Sequence, residues 1–321
     1  MTMNKTTLES LSDELFLDLF ELFNAIDLFR ALHDLNTRFN SLLFIYFRNY
    51  HVDLRSILKK DFDIFCQTYL SSILNRTIYL RISDDEDTPY QCTHFLSAGF
   101  TLGQFYNLRS LTFYHAYWCS YKFLDFFEKT PHLKNFSTSL STYEEDDLPL
   151  FREFIPSSQN LSIKKLVITE VRSQRLMTNL FQLLPHVAHL KVEILSLNID
   201  GHQWKQMIIN YLPKLNVLQF MISLELGRSI NKQTDEEKID QFLETYRTPF
   251  WIEYHQWFIR CHWRRWIKSI WIRVYSLPYA FDCFPIFFDE LDSKTKSTCS
   301  REMHFSGMLS FTLNLVPRMH P

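Results

Sequence analysis

The chain has 321 residues, 46% hydrophobic and 22% charged, which fits a packed protein of one small module plus one larger domain and excludes long disorder. Five glycines against 30 phenylalanines and 15 tyrosines argue against glycine-rich phosphate loops and nucleotide-binding folds, and for an aromatic interior. The formal net charge of -2 and pI near 6.6 give no global field for nucleic acid or an anionic membrane.

At the N-terminus Glu9, Asp13 and Glu14 occupy the place where a secretion signal needs a basic start. No later window offers about 18 uncharged apolar residues, so the expectation is an intracellular chain without a membrane span. The six cysteines, Cys66, Cys92, Cys119, Cys261, Cys283 and Cys299, are dispersed, which in a reducing compartment favours buried thiols. Four Asn-x-Ser/Thr sequons carry little weight without a secretion signal.

From Leu11 onward apolar residues fall into two helical rows, Leu15/Leu19/Leu22 and Phe16/Phe20/Phe23. Two rows on one helix imply two burial partners. The spacing predicts a helix over about 13–23, with Ser12 as its cap and Asp13, Glu14, Asp18 and Glu21 on the wet face. A second short helix, capped by Asp27, carries Leu28, Phe29, Ala31, Leu32 and Leu35, and a third begins near Asn36 with Phe39, Leu42, Leu43, Ile45 and Tyr46. Three short helices cannot bury this much leucine and phenylalanine among themselves, so part of the surface needs an external partner or the following domain.

The phrases Leu11-Ser12-Asp13-Glu14-Leu15, Leu19-Phe20, Asp27-Leu28 and Leu35-Asn36-Thr37-Arg38-Phe39 follow one another without a gap, and in this register the segment resembles an F-box. It departs from the family at Ser12, where proline is usual, and at Asn36 and Phe39, where cysteine or serine and tryptophan are common. Serine can cap a helix start that proline would pre-set, so the apolar layout survives. The resemblance implies a three-helix module over residues 7–50 that docks on a Skp-family adaptor, itself bound to a cullin–RING ubiquitin ligase. By that likeness Leu8, Leu11, Leu15, Leu19, Leu28 and Phe29 are interface candidates, with Glu14 and Arg38 as polar supports. Recognition would be helix-in-groove, with apolar anchors and orienting charges.

Beyond residue 50 a short phrase recurs: Leu108-xx-Leu111-x-Phe113, Leu133-xx-Phe136, Ile163-xx-Leu166-x-Ile168, Val187-xx-Leu190-x-Val192 and Leu215-xx-Leu218-x-Phe220. Starts are spaced by 25, 30, 24 and 28 residues, and three follow Pro131, Pro185 or Pro213. Alternation inside each phrase predicts a strand; Gln174–Leu184 and Trp204–Tyr211 have helical spacing. The pattern resembles leucine-rich repeats, although the slot for their laddering asparagine holds Ala116, Ser141, Val171, Leu195 and Ser223. An ordinary α/β domain with several buried strands is the alternative. The expected fold is therefore α+β: the F-box, then an irregular leucine-rich-repeat-like α/β solenoid over 51–321, with an earlier strand at 77–82.

Acidic runs at Asp84–Asp87 and Glu144–Asp147 read as exposed loops, and 231–248 as a loop feeding a capped amphipathic helix ended by Thr248-Pro249. Five of the seven tryptophans lie between Trp251 and Trp271 among arginines, a mixture that suits single-stranded nucleic acid. The alternation Trp257-Ile259-Cys261-Trp263 and Ile270-Ile272-Val274 instead predicts two half-buried strands closing the domain. Similar Thr-Pro-Phe-Trp and Leu-Pro-Tyr segments, here Thr248–Trp251 and Leu277–Tyr279, follow diverged F-boxes in expanded invertebrate families. The stretch after Leu291 reads as a polar loop, followed by a last strand at Met308–Val316.

Cys92-x-His94 and His115-xxx-Cys119 hold four borderline zinc ligands at no standard finger spacing. No nucleophile elbow, P-loop or His-Glu-x-x-His phrase is present, so no catalytic residue, cofactor or metal is nominated. Three readings follow. The first is a cytoplasmic or nuclear substrate receptor of an SCF-type ligase, not itself an enzyme. The second is a repeat scaffold whose F-box-like start is a cap. The third is an RNA-binding protein using 251–273.

Overall fold

The computed structural model describes residues 8–49, 51–84, 89–97, 100, 102–114, 130–139, 161–227, 234–266, 269–281 and 294–299. The expected strand at Met308–Val316, the acidic run Glu144–Asp147, the pair His115 and Cys119, and most of the run Asp84–Asp87 lie outside them.

Three helices open the chain: α1 (Asp13–Phe20), α2 (Ala25–Leu32) and α3 (Thr37–Asn49). Helix α1 stops three residues earlier than its apolar rows predict. The cap of α2 is Asn24 rather than Asp27: its side-chain oxygen accepts the Asp27 N–H at 2.9 Å, while its amide donates to the Asp27 carboxylate at 2.7 Å. Asn36 plays the same part for α3, accepting the Phe39 N–H at 2.9 Å.

Strand β1 (His51–Asp53) follows α3 directly. Then come α4 (Lys59–Ile64), a π-helical turn at Phe65–Tyr69, α5 (Leu70–Ile73), β2 (Tyr79–Ser83), α6 (Gln91–Ser97), β3 (Ser110–Tyr114), β4 (Asn135–Ser139) and β5 (Lys165–Val171). Helix α7 (Gln174–Leu183), β6 (His189–Leu195), α8 (Gly201–Tyr211), β7 (Val217–Gly227), α9 (Asp235–Glu244), β8 (Phe258–Trp266), β9 (Ser269–Leu277) and β10 (Lys294–Ser297) complete it.

The ten strands among the described residues form one open sheet in the order β1-β2-β3-β4-β5-β6-β7-β9-β8-β10. The first seven are parallel and neighbour one another in chain order, whereas β9, β8 and β10 add antiparallel. Every recurring phrase therefore supplies a strand, and the Trp/Arg segment supplies the hairpin β8–β9. Two strands were not foreseen. One is β1. The other is β10, whose Lys-Thr-Lys-Ser sequence lacks an apolar face and reads as a loop; it is a strand because its backbone pairs with β8 while Lys296 reaches Asp240 at 2.6 Å. A lysine-bearing outer strand also discourages further edge pairing.

One sheet face is apolar: Leu80 and Ile82, Leu111 and Phe113, Leu166 and Ile168, Leu190 and Val192, and Leu218 and Phe220 are all buried. Trp204 of α8 packs on Phe220, with ring centroids 5.5 Å apart. The other face carries Arg81, Thr112, Ser137, Lys191 and Gln219, all half-buried. This alternation differs from the continuous apolar runs of a parallel sheet covered on both sides.

The strand starts are tied by a backbone spine. The carbonyls of Ile78, Arg109, Lys134, Lys164 and Ala188 each accept two N–H groups from the start of the next strand, at 2.8–3.1 Å. Between the turns that enter β2 and β3 the Asn107 side-chain amide adds a further bond, donating to the Asn75 carbonyl. Gly201 opens α8 where a Cβ would lie 2.3 Å from the Thr245 carbonyl oxygen. The same apolar core runs without interruption from Phe16 in α1 to Val274 in β9, so the N-terminal helices and the sheet share an interior.

Candidate functional site

Ser12 adopts an extended backbone, and its Oγ accepts the Leu15 N–H at 3.4 Å, which starts α1. Phe16 and Phe20 point inward and meet the ring edges of Phe39 and Tyr46 at 5.0 and 5.5 Å. The leucine row faces out: Leu15 is 50% exposed, Leu19 38% and Leu22 78%. Leu8 and Leu35 are exposed as well. The exposed acids Asp13, Glu14, Asp18 and Glu21 are interleaved with this row. Full burial of a leucine is worth roughly 1.5–3 kcal/mol. A contiguous row left in water thus has a drive toward cover that scattered surface leucines lack.

Arg38 fixes the entry to this helix. Its guanidinium donates twice to one Asp13 carboxylate oxygen, at 2.9 and 2.7 Å, and also to the Leu11 and Glu9 carbonyls. It lies over the Phe16 ring at 5.4 Å, and the Asn36 amide donates to the Glu9 carboxylate at 3.0 Å. Arg38 is therefore occupied with holding α3 against the start of α1, a contact within the chain. Glu14 is fully exposed; hydrogen bonds with its own backbone and with Ser12 hold its carboxyl below the usual range.

Two expected interface residues lie elsewhere. Leu28 and Phe29 are 2% and 0% exposed. Phe29 stacks on Phe47 and Tyr69 at 4.9 and 5.1 Å and meets the Phe65 edge at 5.5 Å, which makes it a bolt between α2, α3 and the π-helical turn. Leu11 is half-buried against the same core. Conversely, Leu22 and Leu35 are exposed although neither was named for the interface. Phe23, assigned to the inner row, is 53% exposed, because the helix has already ended and the row's geometry no longer applies.

Beyond the end of α1 an open cleft of about 700 Å³ lies between Leu22 and Phe23 on one side and Asp53, Arg55, Ser83 and Tyr114 on the other. Asp53 accepts from Arg55 at 2.6 and 2.8 Å and faces Arg81 at 3.4 Å. Burial pushes the Asp53 carboxyl up, but the hydrogen bonds and charge of Arg55, with Arg81, outweigh it and hold the group below its usual range.

The Trp/Arg segment is mainly core. Trp251, Trp257 and Trp263 are buried, and the Trp251 indole donates to the Gly201 carbonyl at 3.2 Å. Their faces are withdrawn from any base, which removes most of the stacking platform the RNA reading requires. On the open sheet face His262 stacks on Tyr275, with its Nε2 2.9 Å from the phenol oxygen. Burial first, then Arg260 and Arg273, push its imidazole down to about 4, so it is neutral near pH 7. Burial also raises the thiols of Cys66 and Cys261 to about 12, far from the thiolate needed for nucleophilic work.

Among the described residues no group of three or more His, Cys, Asp or Glu is placed to hold a metal ion. Cys92, from the expected pair with His94, is buried, and its backbone N–H donates to Asp84 at 2.7 Å. No helix among those residues is long and apolar enough to cross a membrane. No family model and no curated protein matches the chain.

Proposed function

We propose that this chain is a substrate-receptor subunit of an SCF-type cullin–RING ubiquitin ligase, with residues 7–50 as an F-box that docks on a Skp-family adaptor. The observation that carries this reading is the split of α1: Phe16 and Phe20 are buried while Leu15 and Leu19 face water, with Leu22 exposed in the turn just beyond, beside acids that can orient a partner. Leu15 and Leu19 are the central anchors, Leu8 and Leu35 lie near the rim, and Arg38 positions the helix.

The sheet would serve as the leucine-rich-repeat-like receptor for a protein substrate. Supporting this are the seven parallel strands added in chain order, the half-exposed polar face and the backbone spine between repeats, features of a one-dimensional array. In such a role the chain does no chemistry. It raises the effective concentration of substrate lysines near a ubiquitin-carrying subunit.

The test is co-purification of the full chain with a purified Skp-family adaptor. Capture is expected for the parent and is lost in the Leu15→Asp, Leu19→Asp double variant, whose circular dichroism stays unchanged. An intact, folded parent that captures no adaptor overturns the proposal. The full chain is the correct reagent, because an isolated 7–50 segment would expose Phe29 and Phe47 to water.

A further inference from the structure

The turns that enter β2 through β7 carry an unbalanced charge. They comprise residues 75–78, 105–109, 130–134, 161–164, 185–188 and 212–216, and none contains Asp or Glu. They hold Arg76, Arg109, Lys134, Lys164 and Lys214, all exposed, and Lys165 opens β5 beside them. Among the described residues none of these six cations forms an ion pair, and Arg76 lies over the Phe44 ring at 4.2 Å.

The register stacks three of them. Ser110 pairs with Asn135 and Asn135 with Lys165, so Arg109, Lys134 and Lys164 occupy equivalent places on successive strands. The spine confirms the alignment, since the Arg109 carbonyl accepts the Lys134 N–H and the Lys134 carbonyl accepts the Lys164 N–H, both at 2.8 Å. Adjacent strands lie about 4.8 Å apart. Backbones at that spacing bring three like charges into one row narrower than two Debye lengths of about 8 Å at physiological salt, so they present a common positive field to a ligand. Like charges facing one another across strands are destabilising. Among the described residues no carboxylate is paired with this row, so its charges are open to a polyanion.

We infer that this row of strand-entry turns is a docking surface for an acidic, extended protein segment; within the receptor reading above, on which this rests, it defines the substrate class. Five strand intervals from β2 to β7 span about 24 Å, the length of about seven or eight extended residues at roughly 3.3 Å each. The chemistry favours polypeptide over nucleic acid on two counts. Four of the six cations are lysines, point charges suited to carboxylates, rather than the planar forks that grip phosphate in two places. Single-stranded nucleic acid also needs aromatic faces for successive bases. This edge offers one exposed ring pair, Tyr106 against His132 at 5.0 Å, and those rings already engage each other edge-to-face.

The experiment is fluorescence anisotropy of a labelled octaglutamate peptide with the full chain. Binding is expected at low salt, weakening about tenfold from about 50 to about 300 mM salt. The triple variant Arg109→Glu, Lys134→Glu, Lys164→Glu loses about tenfold or more in affinity. The corresponding triple Gln variant, which removes charge without adding repulsion, also loses affinity and serves if the Glu variant fails to fold. A control with the same total charge change elsewhere, Lys59→Glu, Lys60→Glu, Arg172→Glu, binds like the parent. The inference is overturned if the parent ignores the peptide, if the Gln triple variant binds as well as the parent, or if the control loses as much. It is equally overturned if a single-stranded RNA of matched charge displaces the peptide at a lower concentration than unlabelled octaglutamate does. Adaptor capture by the same preparation is scored separately: its loss with peptide binding intact removes the ligase reading and leaves the acidic-segment surface.

Discussion

Two regions of this protein treat their large apolar residues differently. Around α8 the aromatic cluster is hidden: Trp204, Tyr246 and Trp251 are each 0% exposed and crowd around Phe220 and Gly201, and the helix leaves Ile209 as its one strongly exposed aliphatic side chain. Two of their polar atoms are used, with the Tyr246 hydroxyl donating to the Ile199 carbonyl at 2.9 Å and the Trp251 indole to Gly201, while the Trp204 indole nitrogen is buried without a hydrogen bond. In α1 Phe16 and Phe20 are buried and Leu17 is partly covered, while Leu15 and Leu19 stay in water. The first arrangement is accounted for by stability alone. The second leaves leucines that folding does not cover, the feature on which the proposed adaptor contact rests.

The largest expected effect tests whether the N-terminal helices join the sheet's interior or merely lean on it. Phe29→Ala, at a ring wedged between Phe47, Tyr69 and Phe65, should cost about 3–5 kcal/mol in urea unfolding and lower the stability of the whole chain in one transition. A loss near zero would show that α2 is peripheral. Next in size is Gly201→Ala, which drives a Cβ to 2.3 Å from backbone oxygen; overpacking of this kind costs about 1–3 kcal/mol and should appear as a lowered Tm.

A smaller effect concerns pH. His262 is held neutral in the folded state by burial and by Arg260 and Arg273, with its pKa brought down to about 4 from the ordinary 6.5. Between those values the unfolded chain binds the proton and the folded chain does not. Its contribution is therefore present above about pH 6.5 and is lost as pH falls toward 4. The urea midpoint should drop over that window, and His262→Gln should flatten the drop. The smallest effect is the most telling for the comparison. Leu15→Ala and Leu19→Ala should each change stability by no more than about 0.5 kcal/mol, in contrast to Phe29→Ala. A cost of several kcal/mol at either leucine would place it in the core and erase the distinction between the two helices.

Much of the fold was legible because its signals are local. The alternation in Ile163-xx-Leu166-x-Ile168 and its relatives sets one face of each strand, and the proline before three of them marks the turn. Ser12 was recognisable as a cap because it stands directly before acids and an apolar row. What stayed hidden depends on neighbours. Strand β1 spans three residues, too few for a period, and β10 is polar throughout; both exist through backbone pairing with partners remote in sequence. Leu28 and Phe29, like Leu15 and Leu19, are large apolar residues on short amphipathic helices, and nothing local marks which are covered. Only the arrival of the π-helical turn against α2 decides which pair is covered. The basic row was invisible for the same reason, since Arg109, Lys134 and Lys164 are 25 and 30 residues apart and meet only through sheet register.

The central claim, that the outward leucine row of α1 is the contact surface while α2 belongs to the core, is tested most directly by amide hydrogen exchange of the full chain with and without a Skp-family adaptor. The account predicts added protection concentrated in residues 8–23, with α2 already protected in the free chain and little changed by the partner. A complex that leaves residues 8–23 exchanging as in the free chain, or that protects another surface instead, would contradict it.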